Sequence, residues 1–393
     1  MRSQIEGSRA VAETVARCRP EVICAYPISP QTHIVEGLSV LVKSGALAPC
    51  EFINAESEFG AMSLAIGASA MGGRTYTATA SQGLLFMVEA VYNAAGLGLP
   101  VVMTVANRAI GAPINIWNDH SDAMSQRDSG WVQLYAESNQ AAVDLHVVAF
   151  RLAEELSVPV MVCMDGFVLT HAVEEVELAE PSQVDAYLPP YQPRQVLDPA
   201  HPVSIGAMVG PEAFLEVRYL AHRTQLRALE VIPALAAEFG EVFGRPGPGL
   251  VSPYRTEDAD LVVVALGSVL GTVQDLVDEL RADGVRIGAL GITAFRPFPV
   301  AAVRAALSSG QRLVVLERAF SVGGGGIVTP DVTAAVSGMD CPLTTIVAGL
   351  GGRPVTRASL RRLLADQPGE PLAFLDLDET VVARELARAG GVS

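Results

Sequence analysis

Short apolar runs alternate with helix-length segments along the first half of the chain. Runs such as LPVVMTVA are apolar at nearly every position, which is typical of strands covered on both faces of a sheet. The segments between them are amphipathic or rich in alanine and glycine. Strands that alternate with helices indicate βαβ units and a mainly parallel sheet. We predict strands at residues 21–25, 51–54, 74–78, 99–106 and 158–164, with helices at residues 61–71 and 85–97.

The pattern changes between residues 175 and 253. Two proline-rich stretches, YLPPYQPRQVLDPAHP and GRPGPGLVSPY, flank a predicted helix at residues 211–239. We expect Pro233 to kink or divide that helix, because proline lacks the N–H that an interior position donates. This segment is interpreted as a connector between two units.

A second α/β unit begins near Asp260 with the strand LVVVAL, which is followed by an apolar stripe on one helix face. Further strands are predicted at residues 285–290, 312–316 and 344–347. The sequence thus predicts an α/β fold with two doubly wound domains. Residues 1–250 form the first domain with the connector helix, and residues 251–393 form the second.

The length, hydropathy and charge of the chain indicate more than one domain and argue against a membrane protein or a nucleic-acid-binding protein. The chain has 393 residues, more than one hydrophobic core usually organises. Its mean hydropathy is +0.34, yet no apolar run reaches the roughly 20 residues that a membrane-spanning helix needs. The N-terminus is charged where a signal peptide would be apolar, so we expect a cytoplasmic protein that does not contact a membrane. A net charge of −16 with a single lysine, Lys43, argues against a nucleic-acid partner.

The cysteines give no sign of a metal or cluster site. No two of them are spaced as C-x-x-C, which is the spacing of zinc and iron–sulfur ligands. We interpret them as reduced thiols, mostly in the core. They are Cys18, Cys24, Cys50, Cys163 and Cys341. Any iron–sulfur chemistry is therefore expected on another chain.

Four segments that carry polar groups or glycine each follow a predicted strand of the first domain. They are YPISPQT (26–32), AESEFGA (55–61), TASQG (79–83) and NRAIGAPINIWNDHSD (107–122). Ligands of open parallel sheets bind outside the carboxyl ends of the strands. The sequence therefore predicts a ligand site where these four loops meet.

Three residues in these loops are chemical candidates. Glu58 lies at a helix start among apolar residues, where its carboxylate could be partly desolvated. Alternatively, it could be an ordinary helix-capping or surface glutamate that is stabilised by the helix macrodipole. Arg108 could bind a substrate carboxylate with its planar fork, or form an ordinary salt bridge. Ser29 lies between two prolines and could present its hydroxyl to a ligand or belong to a plain turn.

These segments resemble, in order, those of the 2-oxoacid:ferredoxin oxidoreductase family. YPISPQT is similar to that family's Y-P-I-T-P loop, and ESEFGAMSLAIGASAMGGRTYTATASQGL is similar to its pyrimidine-domain stretch. NRAIGAPINIWNDHSD, QRDSGWVQLYAE, MDGFVLTH, LDPAHPVSIGAMVGPE, FRPFP and AGLGGRP resemble further parts of the same subunit. The resemblance covers nearly the whole chain.

The resemblance implies a thiamine diphosphate site built between two chains. This chain would be the alpha, pyrimidine-binding subunit, with a pyrimidine-binding domain and a transketolase C-terminal-like domain. Glu58 would hydrogen bond the aminopyrimidine ring and favour its imino tautomer. Arg108 and Ser29 would bind the substrate; Ser29 stands where the family usually has threonine. The cofactor would also contact Tyr26, Pro27, Ile28, Ser81 and Gln82.

The partners follow from the same resemblance. A beta subunit would carry the diphosphate and Mg²⁺ half of the site, since this chain has no G-D-G motif. Gamma- and delta-type subunits would supply coenzyme A and ferredoxin-like functions with [4Fe-4S] clusters. The complex would convert pyruvate and coenzyme A to acetyl-CoA and CO₂ and would reduce ferredoxin. Branched-chain or aromatic 2-oxoacids remain an alternative, as does a non-catalytic docking subunit.

Two further runs are not expected to bind ligands. Asp119, His120 and Asp122 resemble a metal cluster, but we expect them to order a loop, and we expect no metal ligand in this chain. The glycines at residues 323–326 lack the G-x-G-x-x-G context of a dinucleotide site. We interpret them as a turn.

Overall fold

The computed structural model describes residues 2–366 and 370–388, which form strands and helices in alternation. The strands are β1 (Arg2–Glu6), β2 (Val22–Ala25), β3 (Glu51–Asn54), β4 (Thr75–Thr79), β5 (Val101–Asn107), β6 (Val132–Tyr135), β7 (Val160–Asp165), β8 (Val173–Glu177), β9 (Val251–Tyr254), β10 (Leu261–Ala265), β11 (Ile287–Ile292), β12 (Ala294–Arg296), β13 (Arg312–Glu317), β14 (Leu343–Val347) and β15 (Leu372–Phe374). The helices are α1 (Gly7–Arg17), α2 (Thr32–Lys43), α3 (Glu58–Ala70), α4 (Ser81–Phe86), α5 (Val88–Gly96), α6 (Ser121–Ser125), α7 (Asn139–Leu156), α8 (Pro181–Tyr187), α9 (Phe214–Phe243), α10 (Val269–Ala282), α11 (Val300–Ala305), α12 (Thr329–Ala335), α13 (Arg357–Asp366) and α14 (Glu379–Arg388).

The first sheet has seven strands in the order β12-β6-β7-β5-β4-β2-β3. All neighbours pair in parallel except β12, which runs antiparallel to β6. Every residue of β4, β5, β6 and β7 is buried, as expected for strands covered on both faces. Helices α1, α2 and α7 cover one face, and α3, α4 and α5 cover the other. The predicted parallel α/β sheet is confirmed.

The second sheet has six strands in the order β15-β14-β13-β10-β11-β9, and only β9 is antiparallel to its neighbour. Helix α10 packs on one face, with Val273 and Val277 of the predicted stripe buried. The other face carries Val262 and Val315, which belong to the same apolar core as Met103 and Val105 of the first sheet. The two sheets are therefore joined by a common core.

The connector helix runs unbroken through Pro233. Helix α9 begins at Phe214 rather than at residue 211, and Pro233 lies in its interior without dividing it. Its second half is buried against α7 and α8 through Ile232, Leu235 and Phe239, whereas its first turns are exposed. Packing along the second half compensates for the hydrogen bond that proline cannot make.

Several elements differ from the prediction. The expected single helix at residues 85–97 is two helices, α4 and α5, that meet at Met87. Helix α3 begins at Glu58, three positions before the predicted start at residue 61. Strands β1 and β8, RSQIE and VEEVE, form an antiparallel pair that the apolar pattern did not predict, because most of their residues are polar or charged. No helix in the described ranges is long and apolar enough to cross a membrane.

Candidate active site

The four predicted loops do meet, at the carboxyl edge of the first sheet. The loop after β2 contacts the loop after β5 through Arg108, whose Nη1 donates to the main-chain oxygen of Ser29 at 2.8 Å. The loop after β4 is joined to the loop after β5 by the Ser81 N–H, which donates to Asp122 at 3.0 Å. Glu58, after β3, lies against Gly83 of α4. The geometry thus places the predicted residues in one region.

Glu58 is a buried carboxylate at the first position of α3. Ser57 caps the helix by accepting from the N–H of Gly60 at 3.0 Å, so Glu58 is not needed for that purpose. The residue is 9% exposed, and within residues 2–366 and 370–388 no donor hydrogen bonds its carboxylate. A Cβ at Gly83 would lie 2.7 Å from Glu58 Oε1, so only glycine leaves room for the carboxylate there. A buried acceptor without a protein donor is suited to a ligand donor.

Arg108 is also buried, and within the described residues it forms no salt bridge. Its Nη1 and Nε donate to the main-chain oxygens of Ser29, at 2.8 Å, and Asn115, at 3.3 Å. No carboxylate in the described part of the chain lies within salt-bridge distance of its guanidinium. Burial lowers the pKa of Arg108, while the nearby charge of Asp122 raises it. Two N–H groups of the Arg108 guanidinium donate to uncharged main-chain oxygens, and its other N–H groups can donate to an anion.

Asp122 ties together the loops after β4 and β5. Its carboxylate accepts from the backbone N–H groups of Ser81, Arg108 and Ala123 at 2.7–3.0 Å. The side-chain amide of Asn107 donates to it at 2.8 Å. Burial raises the pKa of Asp122 to about 6, although these four donors favour its ionised form and lower the pKa. This is the loop-ordering role expected for the run that contains Asp119 and Asp122.

A loop of the second sheet holds the same segment from the other side. The N–H of Gly351 donates to Asp119 Oδ2 at 3.0 Å, and its oxygen accepts from Asn115 Nδ2 at 3.1 Å. Asn115 in turn accepts from Arg108 through its main-chain oxygen. The position of Arg108 thus depends on the AGLGGRP segment, a link that the sequence prediction missed.

Asp165, at the end of β7, joins the two sheets and was also missed. His120 Nε2 lies 2.7 Å from Asp165 Oδ1, and the Ser268 N–H donates to Oδ2 at 3.0 Å. Arg318 lies 3.9 Å from the same carboxylate. Burial raises the pKa of Asp165, but His120, Arg318 and Ser268 together hold it well below its ordinary value. The sequence did not predict this network, because its residues are far apart along the chain and no local motif joins them.

The remaining predicted cofactor residues divide into exposed and buried groups. Tyr26 and Pro27 are exposed at the edge of the sheet, and Ile28 is half-buried. Gln31 fixes their loop by donating hydrogen bonds to the main-chain oxygens of Tyr26 and Ala78. Ser81 is fully buried, and its hydroxyl lies within hydrogen-bonding distance of the oxygen of Ala109 and of Gln82. A ligand contact by Ser81 or Gln82 therefore stays a prediction.

Comparison with known proteins settles the family. Residues 13–236 match the family model described as "Pyruvate flavodoxin/ferredoxin oxidoreductase, thiamine diP-bdg", and residues 259–360 match "Pyruvate:ferredoxin oxidoreductase core domain II". The chain belongs to the pyruvate flavodoxin/ferredoxin oxidoreductase family. The resemblance stated from the sequence motifs is confirmed.

Relatives of this oxidoreductase family align along most of the chain. A pyruvate synthase subunit PorA from Methanosarcina barkeri is 48% identical over 92% of this chain and 91% of the relative. A ketoisovalerate oxidoreductase subunit VorA from Pyrococcus horikoshii is 38% identical over 92% of each. A 2-oxoglutarate:ferredoxin oxidoreductase from Magnetococcus marinus, solved with 2-oxoglutarate, coenzyme A and succinyl-CoA bound, is 18% identical with a TM-score of 0.74. That match covers 93% of this chain but 65% of the solved chain, and it supports the fold.

The residues present fit one half of a thiamine diphosphate site of this oxidoreductase family. The donor-free carboxylate of Glu58, with the space that Gly83 leaves beside it, suits an aminopyrimidine ring that donates a hydrogen bond. Neither Glu58 nor the Asp119–Asp122 run belongs to a group of three potential metal ligands within the described residues. The same sheet edge thus presents a carboxylate acceptor at Glu58 and a guanidinium at Arg108.

Proposed function

We propose that this chain is the alpha, pyrimidine-binding subunit of a multi-subunit pyruvate:ferredoxin oxidoreductase. The enzyme oxidatively decarboxylates pyruvate, transfers the acetyl group to coenzyme A and passes the electrons to ferredoxin. The observation that carries the proposal is the presence, on one sheet edge, of a buried carboxylate and a buried guanidinium that form no salt bridge within the described residues. Identity to a pyruvate synthase subunit exceeds identity to a ketoisovalerate oxidoreductase subunit, which favours pyruvate over a branched-chain substrate.

The chain's own residues have two tasks in this reaction. When bound, thiamine diphosphate supplies a nucleophilic carbon and an electron sink for decarboxylation. Glu58 accepts a hydrogen bond from the aminopyrimidine ring and so controls where the ring carries its proton. Arg108 binds the carboxylate of the 2-oxoacid, and Ser29, held next to it, offers a hydroxyl. The loop around residues 107–122 keeps the two groups at the same edge.

Partner chains complete the enzyme in this proposal. A beta subunit supplies the diphosphate and Mg²⁺ half, which is supported by the lack of a G-D-G motif in this sequence. Gamma- and delta-type subunits carry coenzyme A functions and [4Fe-4S] clusters, since the cysteines here lack cluster spacing. We also infer a cytoplasmic location, supported by five cysteines that are all free thiols.

The test compares two neighbouring glutamates. Glu58→Gln keeps the side-chain volume but removes the charge, and we expect pyruvate-dependent viologen reduction by the reconstituted complex to fall about 10²–10⁴-fold. Glu56→Gln is the matched control, because Glu56 is exposed two positions away and should leave the rate unchanged. A Glu58→Gln rate within about twofold of wild type would contradict the role of Glu58. A preference for 2-oxoisovalerate over pyruvate in the wild-type complex would instead favour the branched-chain alternative.

A further inference from the structure

Two histidines and a glutamate lie together away from Glu58 and Arg108. Glu6 ends β1, His33 is in the first turn of α2, and His171 lies in the loop between β7 and β8. Their potential ligand atoms all lie within 4.8 Å of one another. His33 Nδ1 is 2.7 Å from Glu6 Oε1, and the two imidazole rings have centroids 4.7 Å apart. Within the described residues, this is the one such group of three.

The backbone fixes Glu6 next to His171. Strands β1 and β8 pair with Glu6 opposite Val173. The N–H of Gly7 donates to Ala172 at 3.0 Å, and the N–H of Ser8 donates to Thr170 at 2.9 Å. A Cβ at Gly7 would lie 2.1 Å from the main-chain oxygen of Leu169, so the two segments touch through their backbones. The segments that carry Glu6 and His171 are thus joined by main-chain hydrogen bonds.

Helix α2 fixes His33 in the same way. Ile34 and Leu38 anchor the helix in the core with no exposed surface, and α2 packs along α1, which follows directly from Glu6. Gln31, two positions before His33, holds the preceding loop. The backbone positions of the three residues are therefore set before any ligand binds, and the side chains of His33 and Glu6 are 49% and 32% exposed.

The chemistry of the group suits a borderline metal cation. His171 Nδ1 lies 2.8 Å from the hydroxyl of Thr170, which leaves Nε2 available and orients the ring, as outer hydrogen bonds do for metal-bound imidazoles. Two imidazole nitrogens and one carboxylate oxygen are a donor set that Zn²⁺ uses in proteins.

We propose that Glu6, His33 and His171 form a binding site for a divalent transition-metal ion, with Zn²⁺ as the best fit. Bonds of about 2.0–2.1 Å in a tetrahedron require ligand atoms roughly 3.4 Å apart. The ligand atoms lie within 4.8 Å of one another on a fixed backbone, so side-chain rotation would have to bring them to that spacing. The bound ion fastens the N-terminal strand to the loop after β7 and to the helix that follows the Ser29 loop. This departs from the sequence-based expectation that the chain supplies no metal ligand.

The experiment uses the full chain, treated with chelator and then titrated with Zn²⁺ and, separately, Co²⁺. We expect one equivalent of Zn²⁺ to bind and to raise the midpoint of thermal unfolding, because the site exists only in the folded chain. Co²⁺ should give the visible absorption of a four-coordinate ion with nitrogen and oxygen ligands. His33→Ala and His171→Ala should each weaken Zn²⁺ binding by more than the roughly 10–100-fold that outer hydrogen-bonding partners contribute.

His201→Ala is the matched control. His201 lies 2.9 Å from Asp198 as an exposed histidine–carboxylate pair, and within the described residues it belongs to no group of three potential ligands. Its loss should leave the Zn²⁺ affinity unchanged. Glu6→Gln, which keeps the side-chain size, serves if an alanine variant fails to fold, and it too should weaken binding. Equal Zn²⁺ affinity in wild type and Glu6→Gln, or no stoichiometric binding by wild type, would overturn the proposal and leave a plain His33–Glu6 hydrogen bond.

Discussion

Glu58 and Arg108 are both buried ionisable side chains, and within the described residues neither forms a salt bridge. Moving an unpaired ionised side chain from water into the protein interior has an effective cost of several kcal/mol. The main-chain carbonyl oxygens of Ser29 and Asn115 accept from Arg108 and offset part of that cost. Glu58 and Arg108 are therefore available to a ligand that supplies a hydrogen-bond donor or an anion. Such a contact is stronger in a site that excludes water.

Arg108→Lys tests the contact with the substrate carboxylate. Lysine keeps the positive charge but loses the planar fork, so a bidentate contact becomes a point-charge contact. We expect KM for pyruvate to rise with kcat little changed. The loss of a hydrogen bond to a charged group costs about 1.5–3 kcal/mol, so kcat/KM should fall roughly 10- to more than 100-fold. Steady-state kinetics of the reconstituted complex with pyruvate and 2-oxobutyrate measure both parameters.

Arg304→Lys is the control for that substitution. Within the described residues Arg304 also donates only to main-chain oxygens, those of Ala335 and Ser337, and it lies on α11, outside the four loops of the candidate site. It should leave KM unchanged. An unaltered kcat/KM in Arg108→Lys would remove Arg108 from the substrate site.

His146 gives the protein a defined sensitivity to acid. It is fully buried on α7, with Nε2 2.5 Å from Thr104 Oγ1 and Nδ1 2.6 Å from the oxygen of Ala142. Burial lowers the pKa of His146 to about 4 from an ordinary value of 6.5, against the Ala142 hydrogen bond, which raises it. Below pH 6.5 the unfolded chain binds a proton that the folded chain does not bind, so stability falls as pH drops toward 4. The loss approaches about 3 kcal/mol across that window.

Urea unfolding at pH 7 and pH 5 of wild type, His146→Gln and His201→Gln measures this effect. We expect the free energy of unfolding to fall less between the two pH values in His146→Gln than in wild type, because glutamine does not titrate. His201 is exposed, so His201→Gln should follow wild type. Parallel pH profiles for wild type and His146→Gln would show that His146 is not the acid-sensitive group.

At the level of elements, the five strands predicted for the first sheet lie within two residues of β2, β3, β4, β5 and β7, whereas the buried strand β6 was not predicted. The strand predictions at residues 74–78, 99–106 and 158–164 correspond to β4, β5 and β7, whose residues are all buried. Strands β1 and β8 were missed because their pairing is supported by Arg2 with Glu175 and Glu177, and charged strands carry no apolar alternation. The break at Met87 was missed because no glycine or proline marks it.

The candidate site could be predicted only in part, for a related reason. Glu58 and Arg108 follow strands of one parallel sheet, so strand order alone brings them to a common edge. The contact of Asp119 with Gly351 spans 232 positions and depends on how two sheets pack, which no local pattern encodes. The same holds for Asp165 with Ser268, which are 103 positions apart.

Gly351→Ala tests whether the loop of the second sheet positions Arg108. Gly351 has a φ of +58°, and a Cβ there would lie 2.5 Å from Asn115 Nδ2. The substitution should push Asn115 away and displace its oxygen from Arg108, so we expect KM for pyruvate to rise while the fold remains. Steady-state kinetics of the reconstituted complex, alongside thermal unfolding, separate the two effects.

Gly338→Ala is the strain-matched control. Gly338 has a φ of +80°, but a Cβ there would meet nothing within 4 Å. Both variants incur the cost of a left-handed backbone, and only Gly351→Ala disturbs Asn115. Equal KM values in the two variants would argue against a positioning role for Gly351.

At the level of the whole molecule, Asp165 connects the two sheets through a buried ionic network. Asp165→Asn keeps the shape but removes the charge that faces His120, Ser268 and Arg318. Breaking a buried pair typically costs about 3–5 kcal/mol, so we expect a loss of that size in the free energy of unfolding. Calorimetry should also show whether the sheets then unfold separately.

Asp260→Asn provides the exposed counterpart. Asp260 pairs with Arg286 at the surface, where an ion pair contributes about 0–1 kcal/mol. Its removal should leave the calorimetric transition near that of wild type. A similar small change in Asp165→Asn would mean that apolar packing, rather than this network, holds the sheets together.

Strand β12 carries a consequence for how the protein is made. Residues Ala294–Arg296 complete the first sheet along β6, yet they are translated after β9, β10 and β11 of the second sheet. Ribosomes add about 5–20 residues per second, so the nascent chain spends several seconds with β6 as an open edge. An unpaired edge is a template for pairing with other chains. A polypeptide truncated at residue 250 would keep that edge permanently, and we expect it to aggregate during synthesis, whereas a chain extended to residue 300 would be able to cover it.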